Sequence, residues 1–413
     1  MSSIRQLVIL AGGKGTRLGE HARTTPKPMM EITEQRVFLD YIIENAARQG
    51  FVDILIVAGH LGDQISARYH HARCKDANIS VFVEPEARGT AGALTFVSDR
   101  LAGAFLVTNG DTFFDINFRA LASNLEGSPH LDAAIALRTV EDVGRYGSVE
   151  TTMDGLITEF REKDESKLGQ QGVINGGVYA IRHRALATIS TYPASIETDL
   201  FPYLAKAGTL GSVRAEGYFI DIGLPETLER GRMELPVRRR AALFLDRDGV
   251  LNRDTHHLHR REDWQWIDGA REAIRAANDA GRAVVVITNQ AGIGRGKYRE
   301  CDAVSLHAWM QEELHAFGAF VDAVYHCPYH PDAVAEAYRI KVPFDRKPEP
   351  AMLLRAARQH DLDLSRSLFV GDQSSDASAA DAAEVSFLYF HGGNLHREIM
   401  NNEKGRALFV TSA

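Results

Sequence analysis

The sequence predicts an α/β protein built from two doubly wound domains. Short apolar runs alternate with segments whose apolar residues recur at helical spacing, a pattern typical of mostly parallel sheets covered by helices. The alternation stops in a stretch that contains Pro236 and three consecutive arginines, and it then starts again. A chain of 413 residues is also too long for one ordinary hydrophobic core.

The first series starts with an apolar run that ends in a glycine-rich loop. Its expected strands are Leu7–Ala11, Asp53–Val57, Ile79–Val83 and Ala104–Thr108, and its expected helices are Val37–Arg48, Gly62–His71 and Gly89–Arg100. The pattern then becomes strand-rich, with Ala133–Leu137, Ser148–Glu150, Ile157–Glu162 and Gly177–Ile181. We expect some of these strands to extend or flank the main sheet, and we expect that sheet to be mixed and Rossmann-like.

The second series has the same strand–helix alternation. Its expected strands are Ala241–Leu245, Ala283–Ile287, Val321–His326 and Ser367–Val370, and its expected helices are Gly269–Ala280, Cys301–Phe317 and Pro350–His360. Proline and a run of like charges are typical of a solvated linker. The expected organisation is therefore a first domain over residues 1–234, a linker over 235–240 and a second domain over 241–413.

The composition excludes several classes of protein. Hydrophobic residues make up 45% and charged residues 25%, as in soluble globular proteins. The net charge of -8 argues against a nucleic-acid binder, and no apolar run is long enough for a membrane span. The three cysteines are too few for a disulfide framework, and the first strand leaves no room for a signal peptide. We expect a cytoplasmic protein with small-molecule substrates; the sequence gives no oligomeric state.

The glycine-rich loop has features of a phosphate-binding loop. The string Leu10-Ala11-Gly12-Gly13-Lys14-Gly15-Thr16-Arg17-Leu18 follows the first strand, and Pro26-Lys27-Pro28 comes soon after. Glycines let backbone amides approach phosphate oxygens, while Arg17 and Lys27 supply positive charge. The string is neither G-x-G-x-x-G nor a Walker loop, which argues against a dinucleotide fold and a P-loop ATPase. A merely structural turn remains the alternative.

The whole string resembles the signature of sugar-1-phosphate nucleotidylyltransferases, and the likeness extends over about residues 4–232. It implies nucleotide contacts for Leu10, Gly12, Gly13, Gly15, Thr16, Gly89, Thr90 and Gly110, and catalytic roles for Arg17 and Lys27. It implies metal binding by Asp111 and Asp221, and sugar-phosphate binding by Lys163, Asn175 and Glu197. The alternatives are a turn residue at Asp111, a helix cap at Asp221 and a surface lysine at Lys163. The segments Tyr146–Val149, Ser195–Pro202 and Gly217–Asp221 resemble guanylyltransferases that act on heptose 1-phosphate.

A second group of chemical residues follows strands of the second series. Asp246 and Asp248 come after an apolar strand, and a D-x-D run can supply one nucleophile and one acid/base. Thr288 and Asn289 end the next strand, where they can bind a phosphoryl group. Lys347 supplies charge, and Asp372 supplies a further metal ligand. Carboxyl ends of strands are where open α/β sheets bind ligands, so these residues predict a phosphatase site.

This set resembles the haloacid dehalogenase superfamily, in the branch of heptose bisphosphate and histidinol phosphate phosphatases. The likeness covers about residues 241–392 and implies Mg²⁺ bound by Asp246, Asp248 and Asp372. It implies catalysis by Asp246, Asp248 and Lys347, and substrate binding by Thr288, Asn289, Arg295 and Arg346. The segment between Asp246 and Thr288 is too short for a large cap domain.

One departure from that branch concerns metal binding. Many members hold a zinc ion with Cys-x-His and a later Cys-x-Cys, whereas here Tyr329 stands where the histidine belongs and Pro343 and Asp345 replace the paired cysteines. Cys327 and His330 alone cannot complete a tetrahedral site, so we expect no zinc and a 328–345 loop held by packing. Asp376 could join the metal ligands or cap a helix; the sequence leaves both open.

Together the two likenesses predict a bifunctional enzyme of nucleotide-activated heptose synthesis. The second domain would remove the C7 phosphate of D-glycero-D-manno-heptose 1,7-bisphosphate, and the first would couple the remaining 1-phosphate to GTP, both with Mg²⁺. One alternative keeps both reactions but uses another sugar phosphate and UTP or CTP. In another, one domain is catalytically silent and regulatory.

Overall fold

The structure is a computed structural model that describes residues 4–19, 21–141, 148–161 and 169–409. It divides into two compact units, Met1–Val237 and Arg238–Ala413. Each unit contains one large sheet with helices, so the predicted α/β class with two sheet domains is confirmed. Among the described residues, no helix combines the length and the apolar character needed to cross a bilayer.

The first unit is built around a mixed sheet. Its strands are β1 Gln6–Ala11, β2 Glu31–Thr33, β3 Arg36–Val37, β4 Asp53–Ala58, β5 Arg73–Cys74, β6 Ala77–Val83, β7 Ala104–Asn109, β8 Thr112–Asp115, β9 Ala133–Val140, β10 Ser148–Thr151, β11 Ile157–Arg161, β12 Gly172–Arg182, β13 Leu210–Arg214 and β14 Tyr218–Asp221. Its helices are α1 His21–Thr24, α2 Phe38–Arg48, α3 Gly62–Tyr69, α4 Gly89–Phe96, α5 Phe118–Gly127, α6 Phe201–Ala207 and α7 Pro225–Glu234. Single helical turns include Thr16–Leu18, Lys27–Met29, Ser98–Arg100, His183–Thr188, Ile196–Leu200 and Leu235–Val237.

The order of the main sheet is β11-β10-β12-β7-β1-β4-β6-β5, and β9 pairs with β12 and β13. Strands β7, β1, β4 and β6 are parallel, whereas β12 runs antiparallel to β7. The strand-rich region therefore extends the main sheet, as expected. Along β1, Leu7 and Ile9 enter one core while Val8 enters a second core on the opposite face. This alternation is what a strand buried on both faces requires.

A two-stranded sheet of β8 and β14 completes the first unit. The two strands are antiparallel, and Asp221 pairs in register with Thr112. This pairing was absent from the expectations, because the two strands are about a hundred positions apart and each is only four residues long. It brings the end of β14 next to the loop after β7.

The second unit contains a parallel five-stranded sheet in the order β17-β16-β15-β18-β19. Its strands are β15 Ala242–Leu245, β16 Ala283–Asn289, β17 Ala323–Cys327, β18 Leu368–Gly371 and β19 Ser386–Tyr389. Its helices are α8 Ala270–Asp279, α9 Ala291–Gly294, α10 Glu300–Phe317, α11 Ala351–Gln359, α12 Ser374–Ala382, α13 Leu395–Asn401 and α14 Glu403–Phe409, with short turns at Arg261–Asp263, Glu336–Tyr338 and Leu364–Arg366. Leu243 and Phe244 enter different cores, so helices cover both faces.

The segment that joins β15 to β16 carries one short turn and helix α8, with no separate domain between them. The expectation of a sheet without a large inserted cap is therefore confirmed here. Strands β15, β16, β17 and β18 are parallel, so their carboxyl ends meet at one edge of the sheet.

Candidate active sites

In the first unit, three chain segments converge at the carboxyl edge of the sheet. The glycine loop follows β1, Gly110 and Asp111 follow β7, and Asp221 ends β14. The amide of Gly110 donates to the carbonyl of Leu10 at 2.8 Å, so the two loops touch through their backbones. A Cβ at Gly110 would lie 2.9 Å from that carbonyl oxygen, which explains the glycine.

Lys27 joins the two aspartates that the sequence predicts as metal ligands. Lys27 is 7% exposed, and its ammonium forms an ion pair with Asp111 and lies 3.5 Å from Asp221 Oδ1. The amide of Gly223 also donates to Asp221 Oδ1, at 2.6 Å. Two partly exposed carboxylates thus face one positive charge. Such a pair of oxygen ligands also suits Mg²⁺, because hard cations prefer carboxylates.

The rest of the glycine loop is open. Gly13, Thr16 and Arg17 are exposed, and Gly15 has a φ of 61°, which favours glycine. Gly12 lies against Glu84, whose carboxylate would be 3.1 Å from a Cβ placed there. The loop can therefore present its backbone amides to a ligand.

Glu84 was not singled out by the sequence analysis. It directly follows β6 at the ligand edge of the sheet, and its Oε1 atom is buried with no hydrogen-bond partner among the described residues. Burial raises the pKa of Glu84, against the attraction of Arg88. A buried, unpartnered carboxylate oxygen is costly unless a ligand supplies donors. The position of an acid at a strand's carboxyl end was the signal that could have found it.

Thr90, Glu197 and Asn175 belong to one hydrogen-bonded network centred on Tyr179. Glu197 accepts hydrogen bonds from Tyr179 at 3.2 Å and from Thr90 at 3.1 Å. Asn175 donates to the Tyr179 hydroxyl at 3.0 Å. Tyr179 is fully buried, and burial with the nearby Glu197 raises its pKa well above the usual value. The tyrosine, which sequence reasoning missed, stays a neutral donor that links both predicted binding segments.

Gly89 and Lys163 were predicted to bind the nucleotide and the sugar phosphate, respectively. Gly89 has a φ of 77° and begins helix α4, where Ala91 donates its amide to the Ala194 carbonyl at 2.9 Å. Lys163, predicted to bind sugar phosphate, lies outside the described residues, and its role stays a prediction.

In the second unit, Asp246 follows β15 and is 7% exposed. The Lys347 ammonium lies 2.8 Å from Asp246 Oδ1 and 2.7 Å from Asp376 Oδ1, and it donates to the Ile287 carbonyl at 3.0 Å. Burial opposes the charge of Lys347, but Asp246 and Asp376 raise its pKa. Burial raises the pKa of Asp246 to about 7, with Lys347 acting in the opposite direction. The Asp246 carboxylate and the Lys347 ammonium thus form a buried pair.

Asp246, Asp372 and Asp376 form a group able to hold a cation. Their nearest carboxylate oxygens all lie within 4.8 Å of one another. Asp372 Oδ1 is buried without a hydrogen-bond partner among the described residues, and burial raises the pKa of Asp372. Gly249, with a φ of 87°, packs so close to Asp372 that a Cβ would collide with its carboxylate. Converging oxygens with an unsatisfied acceptor fit a divalent cation.

The sequence left two roles open for Asp376, metal binding and helix capping. Its carboxylate is placed for both. Its Oδ2 atom accepts the Gln373 amide at 3.0 Å and so caps α12, while its Oδ1 atom faces Lys347. It is completely buried.

The structure does not bring the Asp248 carboxylate into this group. Asp248 accepts from Arg247 at 2.8 Å, from Gln290 at 2.9 Å and from Asn252 at 3.0 Å. Arg247 is fully buried and also lies 3.2 Å from His307. The side chain of Asp248 is therefore fixed beside Asp246, and metal binding by Asp248 stays a prediction.

Thr288 and Asn289 end β16, as predicted, but Asn289 already has partners. Its side-chain amide exchanges two hydrogen bonds of 3.1 Å with the backbone of Lys347. The Thr288 hydroxyl is buried and accepts from Gln290 at 2.8 Å. Asn289 thus positions the lysine.

Arg295 and Arg346 lie near each other on either side of His330. The Arg295 guanidinium contacts the His330 ring at 3.0 Å. Burial, and repulsion from Arg295, lower the pKa of Arg346, whose guanidinium also lies 3.4 Å from the Tyr329 carbonyl.

The segment in which related phosphatases hold zinc contains a different arrangement. The Cys327 thiol donates to the buried Asp345 carboxylate at 3.3 Å, and burial raises the pKa of Cys327 to about 12. Within residues 328–345, His330 pairs with Arg339, and Tyr329 packs on Tyr338. In the described part of the chain, the aspartates at 246, 372 and 376 are the one group of three or more His, Cys, Asp and Glu residues spaced to hold a metal.

Comparison with known proteins identifies relatives of both units. A family model described as nucleotidyl transferase matches residues 6–236, and one described as HAD-hydrolase-like matches residues 344–412. A D-glycero-beta-D-manno-heptose-1,7-bisphosphate 7-phosphatase from Rhodopseudomonas palustris is 43% identical over 157 residues, which cover 38% of this chain and 87% of the relative. A D-glycero-alpha-D-manno-heptose-1,7-bisphosphate 7-phosphatase from Burkholderia mallei is 46% identical over 144 residues, which cover 35% and 76%.

Among solved structures, HddC from Yersinia pseudotuberculosis is 30% identical; the match covers 55% of this chain and 98% of HddC, with a TM-score of 0.49. The first family model spans more than half of the chain, and the phosphatase relatives match most of their own length. The chain therefore belongs to the nucleotidyl transferase family through its first unit and to the HAD-like phosphatases through its second, and it is an enzyme with both activities.

Proposed function

We propose that this enzyme makes a nucleotide-activated heptose in two steps. Unit 2 removes the C7 phosphate of D-glycero-D-manno-heptose 1,7-bisphosphate, and unit 1 joins the resulting heptose 1-phosphate to GTP. The observation that carries the proposal is the presence, on one chain, of a Lys347–Asp246 pair and a Lys27–Asp111–Asp221 group. The phosphatase relatives act on heptose bisphosphates, which supports the same substrate class here. The product of the first reaction is then the substrate of the second.

In the phosphatase step, Asp246 is the nucleophile. A carboxylate oxygen attacks phosphorus and the bond to the sugar oxygen breaks, which leaves an aspartyl phosphate. Asp248, fixed by Arg247, gives a proton to the departing sugar oxygen, which leaves as a hydroxyl group, and takes one from the water that hydrolyses the intermediate. Lys347 offsets the charge that develops at the nucleophile. Asp246, Asp372 and Asp376 would hold Mg²⁺, which neutralises phosphate charge when bound.

In the transferase step, an oxygen of the sugar 1-phosphate attacks the α-phosphorus of GTP and pyrophosphate leaves. Two anions must approach each other, so the rate acceleration comes mainly from positioning and charge neutralisation. Arg17 and Lys27 supply positive charge, and the glycine loop supplies backbone amides. Asp111 and Asp221 would hold Mg²⁺, and Asn175 and Glu197 would bind the sugar.

The choice of guanine rests on Glu84. Guanine presents a ring N–H and an amino group side by side, and a carboxylate accepts from both. Uracil offers one N–H between two carbonyls, and cytosine and adenine place an acceptor beside the amino group. The Glu84 carboxylate, whose Oε2 lies beside Gly12 of the phosphate loop and whose Oε1 is unpartnered among the described residues, therefore favours GTP over the other triphosphates.

The test is to incubate the full chain with Mg²⁺, GTP and the 1,7-bisphosphate, and to follow phosphate, pyrophosphate and nucleotide sugar by mass spectrometry. Parallel reactions use the α and β anomers, since relatives of both kinds match the chain. GDP-heptose with both leaving groups supports the proposal. Phosphate release without nucleotide sugar from any triphosphate would contradict the coupled scheme.

A further inference from the structure

His307 is a buried side chain beside the arginine of the phosphatase site. It lies on helix α10, where Ala303, Leu306, Met310 and Leu314 are also buried. Spacings of three and four residues place these side chains on one face of the helix. The histidine is 8% exposed. A histidine on such an apolar face can be a simple packing residue, so its role depends on its polar partner.

The hydrogen bond of His307 fixes which ring nitrogen carries the hydrogen. Nε2 lies 3.2 Å from the Arg247 guanidinium, and arginine has donors only. Nε2 is therefore the acceptor, and the neutral ring carries its hydrogen on Nδ1. Burial, and then the charge of Arg247, lower the pKa of His307 well below its usual value. His307 is thus a neutral acceptor for the arginine.

A second histidine lies on the other side of this ring. The His326 ring, on β17, has its centroid 5.9 Å from that of His307. Its Nε2 atom donates to the Glu300 carboxylate at 2.9 Å, so it is turned toward another partner. Among the described residues, Arg247 is therefore the hydrogen-bond partner of the His307 ring.

The Arg247 guanidinium is completely buried, and each of its three nitrogens has an acceptor. The Nε atom and one terminal nitrogen donate to both carboxylate oxygens of Asp248, at 2.8 to 3.1 Å. The same terminal nitrogen also donates to the Leu258 carbonyl at 3.1 Å. The other terminal nitrogen is the one that faces His307. The orientation of the guanidinium plane is therefore set from the Asp248 side and from the His307 side.

Loss of the His307 acceptor should disturb the contact with Asp248. A buried N–H of a charged group is costly without an acceptor, so the guanidinium would turn away to find one. Gln290 and Asn252 also donate to Asp248, at 2.9 and 3.0 Å. These single bonds would keep the carboxylate nearby, but they lack the fixed geometry of the two-nitrogen contact. The expected defect is thus smaller than that of removing Asp248 itself.

We propose that His307 is a positioning residue for Asp248, and that it acts through Arg247. Its acceptor holds the guanidinium so that the Asp248 carboxyl group delivers its proton to the sugar oxygen. That oxygen also takes the electron pair of the breaking P–O bond, while Asp246 forms the new bond to phosphorus. The proposal rests on the acid/base role proposed for Asp248. Its consequence is specific: only a leaving group that needs a proton should depend on His307.

The test measures kcat/KM of the full chain for heptose 1,7-bisphosphate and for the analogue in which sulfur replaces the oxygen between C7 and phosphorus. A thiolate leaves without a proton, whereas an alkoxide does not. The ratio kcat/KM covers steps only up to departure of the leaving group, so hydrolysis of the aspartyl phosphate does not enter.

Two variants and a control are compared with the wild type. His307→Leu removes the acceptor at similar volume, and His307→Gln places an amide oxygen near the position of Nε2. The control is His315→Leu, which alters a buried histidine about 12 Å further along the same helix.

We expect His307→Leu to lower kcat/KM for the oxygen substrate about tenfold or more, and to leave the sulfur analogue within about threefold of wild type. His307→Gln should stay within about threefold on both compounds, and His315→Leu should keep the wild-type ratio between them. Equal losses on both compounds in His307→Leu would show a general structural role and overturn the proposal. So would a His307→Leu enzyme that behaves like wild type, or a glutamine variant no better than the leucine variant.

Failure of the heptose assignment gives a different result, namely a wild type inert toward the bisphosphate. The pair is then phenyl phosphate and p-nitrophenyl phosphate, because nitrophenolate also leaves without a proton. The positioning role stands if His307→Leu slows phenyl phosphate selectively, and it falls if both compounds are slowed equally or not at all. A wild type inert toward all of these compounds would refute the proposed phosphatase step and this role with it.

Discussion

The side-chain amide of Asn289 and the backbone of Lys347 exchange two hydrogen bonds of 3.1 Å each. The pair ties the end of β16 to the residue whose ammonium contacts Asp246 and Asp376. Asn289 was expected to bind the phosphoryl group. That role stays a prediction, and its observed partners add a second one: Asn289 fixes where the charge of Lys347 lies.

Removing the two hydrogen bonds between Asn289 and Lys347 should slow phosphate release more than it weakens substrate binding. We expect Asn289→Ala to lower the phosphatase kcat about 10- to 100-fold with a small change in KM, because a misplaced charge stabilises the transition state poorly. Steady-state kinetics of phosphate release provide the measurement. Nucleotidyltransferase activity of the same preparation is the folding control; its loss would show a wider structural defect.

The two activities should be separable by single substitutions. Asp246→Asn removes the nucleophile and should lower phosphatase activity at least about 1,000-fold, while pyrophosphate release from GTP and sugar 1-phosphate persists. Asp111→Ala should lower pyrophosphate release at least about 100-fold and spare the phosphatase. If either change silenced both reactions in a folded protein, the independence of the two sites would be refuted.

Base choice should depend on Glu84. ITP lacks the amino group of GTP, so the wild type should prefer GTP about tenfold or more, and Glu84→Ala should remove most of that preference. Pyrophosphate release with each triphosphate measures the ratio. Glu86→Gln is the matched control, because Glu86 is an exposed acid two residues further on. An unchanged GTP/ITP ratio in Glu84→Ala would eliminate Glu84 as the guanine contact.

His307 should lower the stability of unit 2 as the pH drops below about 6.5. Burial, and then Arg247, lower the pKa of His307 well below its usual value. The unfolded chain therefore binds a proton that the folded protein excludes, at up to about 1.4 kcal/mol per pH unit. Asp246 acts in the opposite direction, because its raised pKa lets the folded protein bind a proton that the unfolded chain releases. Denaturant unfolding of the wild type and of His307→Gln from about pH 7.5 to about pH 5.5 isolates the His307 contribution. Glutamine keeps an acceptor for Arg247, and the variant should lose less stability, or gain more, toward low pH; an equal slope in both proteins would contradict this origin.

The segment around Cys327 should not require zinc. We expect well below one zinc per chain after purification, and the same thermal midpoint for unit 2 with and without a chelator once Mg²⁺ is present in excess. Cys327 and Asp345 already satisfy each other, and no further cysteine lies in residues 328–345. Elemental analysis decides the question: one tightly bound zinc per chain would refute the prediction.

The sequence was most informative where chemistry and local pattern coincide. The ends of β1, β7, β15 and β18 were predicted closely, since each strand is a buried apolar run followed by glycine or aspartate. The pairing of β8 with β14 was not predicted, because it depends on contacts between short strands far apart in the chain.

Inside the phosphatase site, too, some side-chain roles were predictable from the sequence and others were not. Asp246 and Lys347 were predicted as partners from their types and positions, and the structure places them in contact. For Arg247, between two aspartates, the sequence predicted no role, yet it is fully buried and holds Asp248. No local pattern distinguishes the two cases, since burial of that arginine depends on Leu258 and His307 from distant segments.

The network through Tyr179 constrains how the transferase can evolve. Glu197 accepts from Thr90 at the start of helix α4 and from Tyr179, which in turn accepts from Asn175. With the sugar-binding role proposed for Asn175, a mutation that adapts this residue to a new sugar also disturbs Thr90, through Tyr179 and the shared Glu197 carboxylate. In such a network, changes in the preference for the sugar phosphate and in the preference for the nucleotide are not independent. Laboratory evolution toward new sugars should accordingly recover paired substitutions, one on each side of Tyr179, more often than single ones.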